Sequence, residues 1–236
     1  MLKQPPRVSL YNMPTHNNNV RLNETSAVKY ELVIFDMDGT LVQSEDCASQ
    51  AIIDVVPELT EPVHEITARY KGMRLSDIFD DIEKRIPGAI PDDCVNLYRA
   101  REHQLSGSMI TPSKGAEALL SKMTCRKCIA SNAPVEKTKR SLQICNLLHY
   151  FPSGIFSAYQ VNAWKPDPKL FEHAANSYNI NAEHCLVVED SEVGIQAAMA
   201  AGMDYVFYNP HANPVSMPNL CSISCLTELI PVLEIV

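Results

Sequence analysis

The sequence predicts an α/β fold: a doubly wound parallel sheet with a small α-helical cap domain inserted into it. Short apolar runs end in polar side chains at Phe35-Asp36, Ala130-Ser131 and Val188-Glu189. From Leu32 onward such runs alternate with segments of helical period, the pattern of strand–helix–strand crossovers. Ser131 follows Asp36 by 95 positions, far more than one crossover helix requires, so another unit is inserted between them.

Composition sets the outer limits. With 236 residues, 46% of them apolar, the chain can bury a sizeable core and carry a small second domain. A net charge of -8 argues against nucleic acid and anionic membranes as main partners. No apolar run approaches the roughly 20 residues that span a bilayer. The eight cysteines are scattered, several inside apolar runs, which fits reduced thiols in a cytoplasmic protein. Cys125-x-x-Cys128 has redox or zinc spacing, but no second pair at zinc-ribbon spacing follows, and the structural reading is preferred. Oligomeric state is not legible, and a monomer is the working expectation.

Residues 1–29 carry Pro5-Pro6, three adjacent asparagines and little apolar periodicity, so a disordered extension is expected. It has no secretory apolar segment. Lys3, Arg7, Arg21 and Lys29 leave an organellar address open beside a plain tail or an upstream start.

The first strand follows at Leu32-Val33-Ile34-Phe35 and runs into Asp36-Met37-Asp38-Gly39-Thr40. Strand side chains alternate faces, so an extended backbone puts Asp36 and Asp38 on one side just past the strand end. Carboxylates that close repel and raise a pKa unless a cation intervenes, so the pair predicts a hard metal, Mg2+ foremost, with oxygen ligands and retained waters. Gly39 permits the sharp turn. In isolation the pattern is equally a solvated turn after a buried strand.

Helical patterns at Glu45 to Val56, Leu75 to Arg85 and Asp92 to Leu105 place the inserted cap at residues 44–111, ahead of Thr111-Pro112. The core domain is then residues 30–43 and 112–236. Cys128-Ile129-Ala130-Ser131-Asn132 is the next strand signal, and Pro134 starts a helix to Cys145. Ser131 can donate to a phosphoryl oxygen near a helix N-terminus that favours anions; alone, the segment is an ordinary strand-to-helix cap. In Trp164-Lys165-Pro166-Asp167-Pro168, Pro166 biases Lys165 to an extended backbone and fixes a cation in a loop. A helix from Pro168 to Tyr178 precedes the strand Cys185 to Val188 and a second acidic pair, Glu189-Asp190. Such a pair at a buried strand end needs metal or donors. A helix from Glu192 to Ala201 ends at Gly202. The acidic, hydroxyl and lysine positions all fall where strands end, beyond the carboxyl edge where ligands of such sheets bind.

Together the four segments resemble the four motifs of the haloacid dehalogenase superfamily, whose phosphatase branch has Asp-x-Asp-Gly-Thr, a Ser or Thr, a Lys and a paired acid in this order. The resemblance implies a Rossmann-like core and a phosphatase of small phosphorylated metabolites. By it, Asp36 is the nucleophile that forms an aspartyl-phosphate and Asp38 is the acid and base. The Asp36 side chain, the Asp38 carbonyl and Asp190 would hold Mg2+, with Glu189 ordering its waters. Ser131, Asn132 and Lys165 would bind phosphoryl oxygens, and Thr40 joins them by ordering the loop.

The insertion point resembles that of the superfamily's C1 cap, which closes over the site and excludes water. Tyr70-Lys71-Gly72-Met73-Arg74 resembles the basic turn by which such caps contact the leaving group, so Lys71, Gly72 and Arg74 are candidate substrate residues; the competing reading is a solvated helix start. Arg99 and Arg101 are read as surface. A closer resemblance, over residues 31–210, is to bacterial sugar-phosphate phosphatases of the 6-phosphogluconate phosphatase type. It rests on Tyr70 to Phe79, Leu147 to Pro152 and Trp164 to Pro168. Two rivals are a β-phosphoglucomutase-like phosphosugar mutase and a catalytically silent binding module. Ala48, where those mutases tend to have histidine, speaks against the first, and the intact motif residues speak against the second.

Overall fold

The computed structural model describes residues 30–214, 216–217 and 220–233. The extension expected over residues 1–29 lies outside the described residues. Strand β1 (Leu32–Phe35) is buried at all four positions and is central. β4 (Arg126–Ser131) and β6 (Cys185–Glu189) flank it, β5 (Ile155–Ser157) lies beyond β4, and β7 (Asp204–Tyr208) and β8 (Ser222–Ile223) extend the other side. The order is β5-β4-β1-β6-β7-β8, with every pairing parallel.

The two-residue period of the strands builds two cores. Val33, Phe35, Leu186 and Val188 face a layer containing α5 (Ala116–Leu120), whereas Leu32, Ile34, Cys185 and Val187 face one containing α8 (Lys169–Ser177) and α9 (Glu192–Ala200). Burial on both faces explains why these strands read as continuous apolar runs. In register, Phe35 is opposite Ile129 on β4 and Val188 on β6. Asp36, Ser131 and Glu189 therefore emerge at one end of the sheet.

Between Asp38 and that end of β4 the chain forms an antiparallel pair, β2 (Val42–Gln43) with β3 (Thr111–Pro112), and between those strands lie four helices joined by turns and loops. This insertion comprises α1 (Glu45–Val55), α2 (Val63–Tyr70), α3 (Leu75–Arg85) and α4 (Cys94–Met109). Ile52, Ile66, Phe79, Ile82 and Tyr98 bury one another in a cluster of their own. Helix α2 was not anticipated: it opens at Pro62 and holds only two buried side chains, Ile66 and Tyr70, too few to show a period. Helix α4 begins two residues later and ends four later than its pattern suggests. All eight cysteines are free thiols, and among the described residues no helix is long and apolar enough to cross a membrane.

Candidate active site

A cavity of about 400 Å³ lies between the carboxyl end of the sheet and the helical insertion, the size of a small-metabolite pocket. Its walls include Asp36, Asp38, Lys71, Gly72, Arg74, Ser131, Asn132, Lys165, Glu189 and Asp190. Residues from five separate stretches of the sequence thus meet at one place.

Asp36 follows β1 directly, and its N–H donates to the Val188 carbonyl at 2.9 Å. Its Oδ1 accepts from Lys165 Nζ at 2.5 Å, and the same ammonium donates to Glu189 Oε1 at 2.7 Å. Burial is the largest influence on Asp36 and raises its pKa, aided by Glu189 and Asp190 and opposed by Lys165. The Lys165 loop is anchored by its own N–H, which donates to Asn132 Oδ1 at 3.0 Å. Lys165 itself is buried rather than on the surface. Burial works against its charge, but Asp36 and Glu189 outweigh that and raise its pKa.

Glu189, expected to order the waters of a metal, has a full set of protein partners. Its Oε2 accepts from the Asp190 N–H, the Ser191 N–H and the Ser191 hydroxyl, all within 2.9 Å, while Oε1 faces Lys165. Both oxygens are committed to protein donors. Thr40, grouped with the phosphoryl-binding residues for ordering the loop, is fully buried, is not part of the cavity wall, and donates to Asp190 Oδ1 at 3.0 Å. It orders an acidic residue of the site. Gly39, at φ +81°, leaves room for Asp190, since a Cβ there would collide with Asp190 Oδ2.

Asp38 Oδ1 accepts from Ser44 Oγ and from Lys137 Nζ, the latter at 2.7 Å. Lys137 sits in the first turn of α6 (Val135–Ile144). Ser131 Oγ accepts from the Ala133 N–H at 3.0 Å, leaving its proton free to donate. Lys71 Nζ lies 2.6 Å from Asp190 Oδ2 and 3.6 Å from Glu45 Oε1. Burial, with Asp190 adding to it, pushes the Glu45 carboxyl up to about 8. Arg74 ends the turn that precedes α3 and lies over the Trp164 ring, 3.9 Å from its centroid. Arg99, read as surface, reaches the cavity wall, whereas Arg101 pairs outside it with Asp54.

Ser44, Glu45, Glu102, Lys137 and Arg140, none of them singled out by the motifs, also line the cavity, as does Trp164 of the Lys165 segment. Glu102 from the insertion is buried and paired with Arg140 from α6. Lys137 carried one available signal: a lysine in a helix's first turn opposes the helix dipole, so a carboxylate partner was to be sought.

The donor set bears on a metal. Among the described residues no three His, Cys, Asp or Glu side chains group as a metal cage. The ion pairs around Asp36 join five carboxylates, of Asp36, Asp38, Glu45, Glu189 and Asp190, to three ammoniums, of Lys71, Lys137 and Lys165. Carboxylates outnumber ammoniums there, and a cation relieves such an imbalance. Two carboxylates and a carbonyl suit a hard ion that keeps several waters. Burial with mutual repulsion, which raises Asp36 and Asp190, is what such an ion relieves.

The model of the haloacid dehalogenase-like hydrolases matches residues 30–202. The chain belongs to the haloacid dehalogenase-like hydrolases. Within that family it is placed with the phosphatases: it is 38% identical over 207 residues to the 6-phosphogluconate phosphatase of Escherichia coli (strain K12), covering 85% of this chain and 93% of that one. It is 27% identical over 187 residues to the β-phosphoglucomutase of Bacillus subtilis (strain 168), with coverage of 72% and 80%. Among solved structures, a haloacid dehalogenase-like protein of unknown function from Agrobacterium tumefaciens str. C58 superposes with a TM-score of 0.75 at 28% identity, covering 87% of this chain and 98% of that one.

Proposed function

We propose that this hydrolase is a Mg2+-dependent phosphatase of small phosphorylated metabolites, foremost a sugar-acid phosphate such as 6-phosphogluconate, and that it works through an aspartyl-phosphate on Asp36. One observation carries the reading: Asp36 directly follows the central strand and pairs with buried Lys165, while Asp38, two residues on, lines the same cavity under Ser44 and Lys137.

In this reading the Asp36 carboxylate attacks phosphorus while Lys165, Ser131 and Asn132 hold the phosphoryl oxygens. Asp38 gives its proton to the leaving-group oxygen and then takes one from the water that attacks the aspartyl-phosphate. The Asp36 side chain, the Asp38 carbonyl and Asp190 would hold Mg2+, which when bound offsets charge on the phosphoryl group. Glu189 positions Lys165 and the Asp190 backbone; Thr40 positions the Asp190 carboxylate. The helical insertion serves as the cap that excludes water, with Lys71, Gly72 and Arg74 facing the leaving group.

The substrate class rests on the 6-phosphogluconate phosphatase likeness and on Lys71 and Arg74 at the cavity, since cations there suit an anionic leaving group. Phosphate release with Mg2+ from 6-phosphogluconate, glucose 6-phosphate, both anomers of glucose 1-phosphate and phosphoglycolate tests it, beside Asp36→Asn. Release highest with 6-phosphogluconate and absent in Asp36→Asn is expected. Conversion of β-glucose 1-phosphate to glucose 6-phosphate without release would replace the phosphatase by a mutase.

A further inference from the structure

Lys71 and Lys165 have parts in the reaction as proposed; Lys137, which lines the same cavity, has none so far. Lys137 sits in the first turn of α6, where the positive end of the helix dipole disfavours an ammonium. Only 18% of its side chain is exposed, which disfavours the charge again. Both effects are offset at one contact, the donation from Nζ to Asp38 Oδ1 at 2.7 Å, and such charge-assisted hydrogen bonds are strong and directional.

Asp38 is held from two sides. Ser44, at the start of the helical insertion, gives its hydroxyl to the same Oδ1, whereas Lys137 belongs to the sheet domain. Oδ2 has no protein donor among the described residues. An oxygen that already accepts from a hydroxyl and an ammonium is a poor seat for a proton, because a proton there would displace a donor. Oδ2 is therefore the oxygen fitted to carry one. The helix that presents Lys137 is itself fastened. Its Leu142 is buried in the core on one face of the sheet, and Arg140, three positions after Lys137, pairs with buried Glu102 of α4.

We propose that Lys137 is a positioning residue for Asp38. With Ser44 it holds Oδ1, so that Oδ2 gives its proton to the leaving-group oxygen as the P–O bond breaks and later takes one from the water that attacks the aspartyl-phosphate. This rests on the phosphatase reading, and its test separates the two.

A sugar leaves phosphorus as an alkoxide that needs the proton, whereas acetate and p-nitrophenolate leave without one. Phosphate release with Mg2+ is to be measured from 6-phosphogluconate and glucose 6-phosphate beside acetyl phosphate and p-nitrophenyl phosphate, in the native protein and in Lys137→Met. The ratio kcat/KM covers the steps through departure of the leaving group, so hydrolysis of the aspartyl-phosphate does not enter it. Lys137→Met is expected to lower kcat/KM about tenfold or more for the sugar phosphates and to leave it within about twofold for the other two. Lys137→Gln, which keeps a neutral donor in place of the charge, serves if Lys137→Met does not fold, and the same contrast is expected of it. A lysine that bound the phosphoryl group, or only supported the fold, would lower all four together. An equal loss on all four, or none, overturns this role and leaves the phosphatase reading standing. A native protein that releases phosphate from none of the four overturns the phosphatase reading and this role with it.

Discussion

Glu45 sits where Lys71, Asp190 and Asp38 influence it at once, and burial is the largest reason its carboxyl is raised from 4.5 to about 8. A carboxyl raised on folding adds stability that is complete below its unfolded value and is lost as pH climbs through the folded one. In chelator, the native protein should lose thermal stability between about pH 5 and pH 9, and Glu45→Gln should lose less over the same interval. Melting temperatures of both proteins across that range check it; parallel curves would contradict the assignment. Residues of this kind were hard to read from sequence. Asp36, Ser131 and Glu189 lie at the ends of apolar runs and Lys165 sits in a proline-marked loop, so their convergence was legible. Ser44, Glu45 and Lys137 meet the site only through the orientation of α1 and α6, and a lysine or glutamate on a helix has no local mark of which side it faces. Glu189 and Thr40 were legible as members of the site but not in their contacts, because both are used up by backbone and side-chain donors that only the folded loop brings near.

The turn between α2 and α3 is the element that ties the insertion to the sheet. Lys71 reaches Asp190 from it, Gly72 passes over Ser191 and Val193, and Arg74 reaches Trp164. Gly72 has φ +74°, and a Cβ there would stand 2.7 Å from Val193 Cγ2 and 3.0 Å from Ser191 Cβ. Both the backbone region and the close approach favour glycine. Gly72→Val should fold, because the insertion's own core lies elsewhere, but should keep the turn off the sheet. We expect phosphate release reduced about tenfold or more, since misplacement of groups around a reacting centre is costly, with an unchanged circular dichroism spectrum. Unaltered kinetics would show that the turn need not seat for turnover. Most helices were legible from period and proline starts, whereas α2 was not, because its short apolar face is shared between the insertion's core and the polar turn that ends it.

At the scale of the whole molecule, the fold and the site follow from one arrangement. A parallel sheet reversing direction of growth about β1 opens its crevice beyond the strand ends; the acidic and hydroxyl signals lay at such ends, and Lys165 joins them from a loop. The inserted helices were visible only as excess length and period; their closure over the sheet depends on contacts such as Glu102 with Arg140, which join residues 38 positions apart in sequence. The central claim is that Asp36 becomes phosphorylated, and trapping that species tests it most directly. Asp38→Asn, which lacks the group assigned to activate water, should be mixed with 6-phosphogluconate and Mg2+, quenched in acid and mapped by mass spectrometry. A phosphoryl adduct on Asp36, absent in Asp36→Asn, is the predicted result. No adduct on Asp36, together with phosphate release that persists in Asp36→Asn, would contradict it.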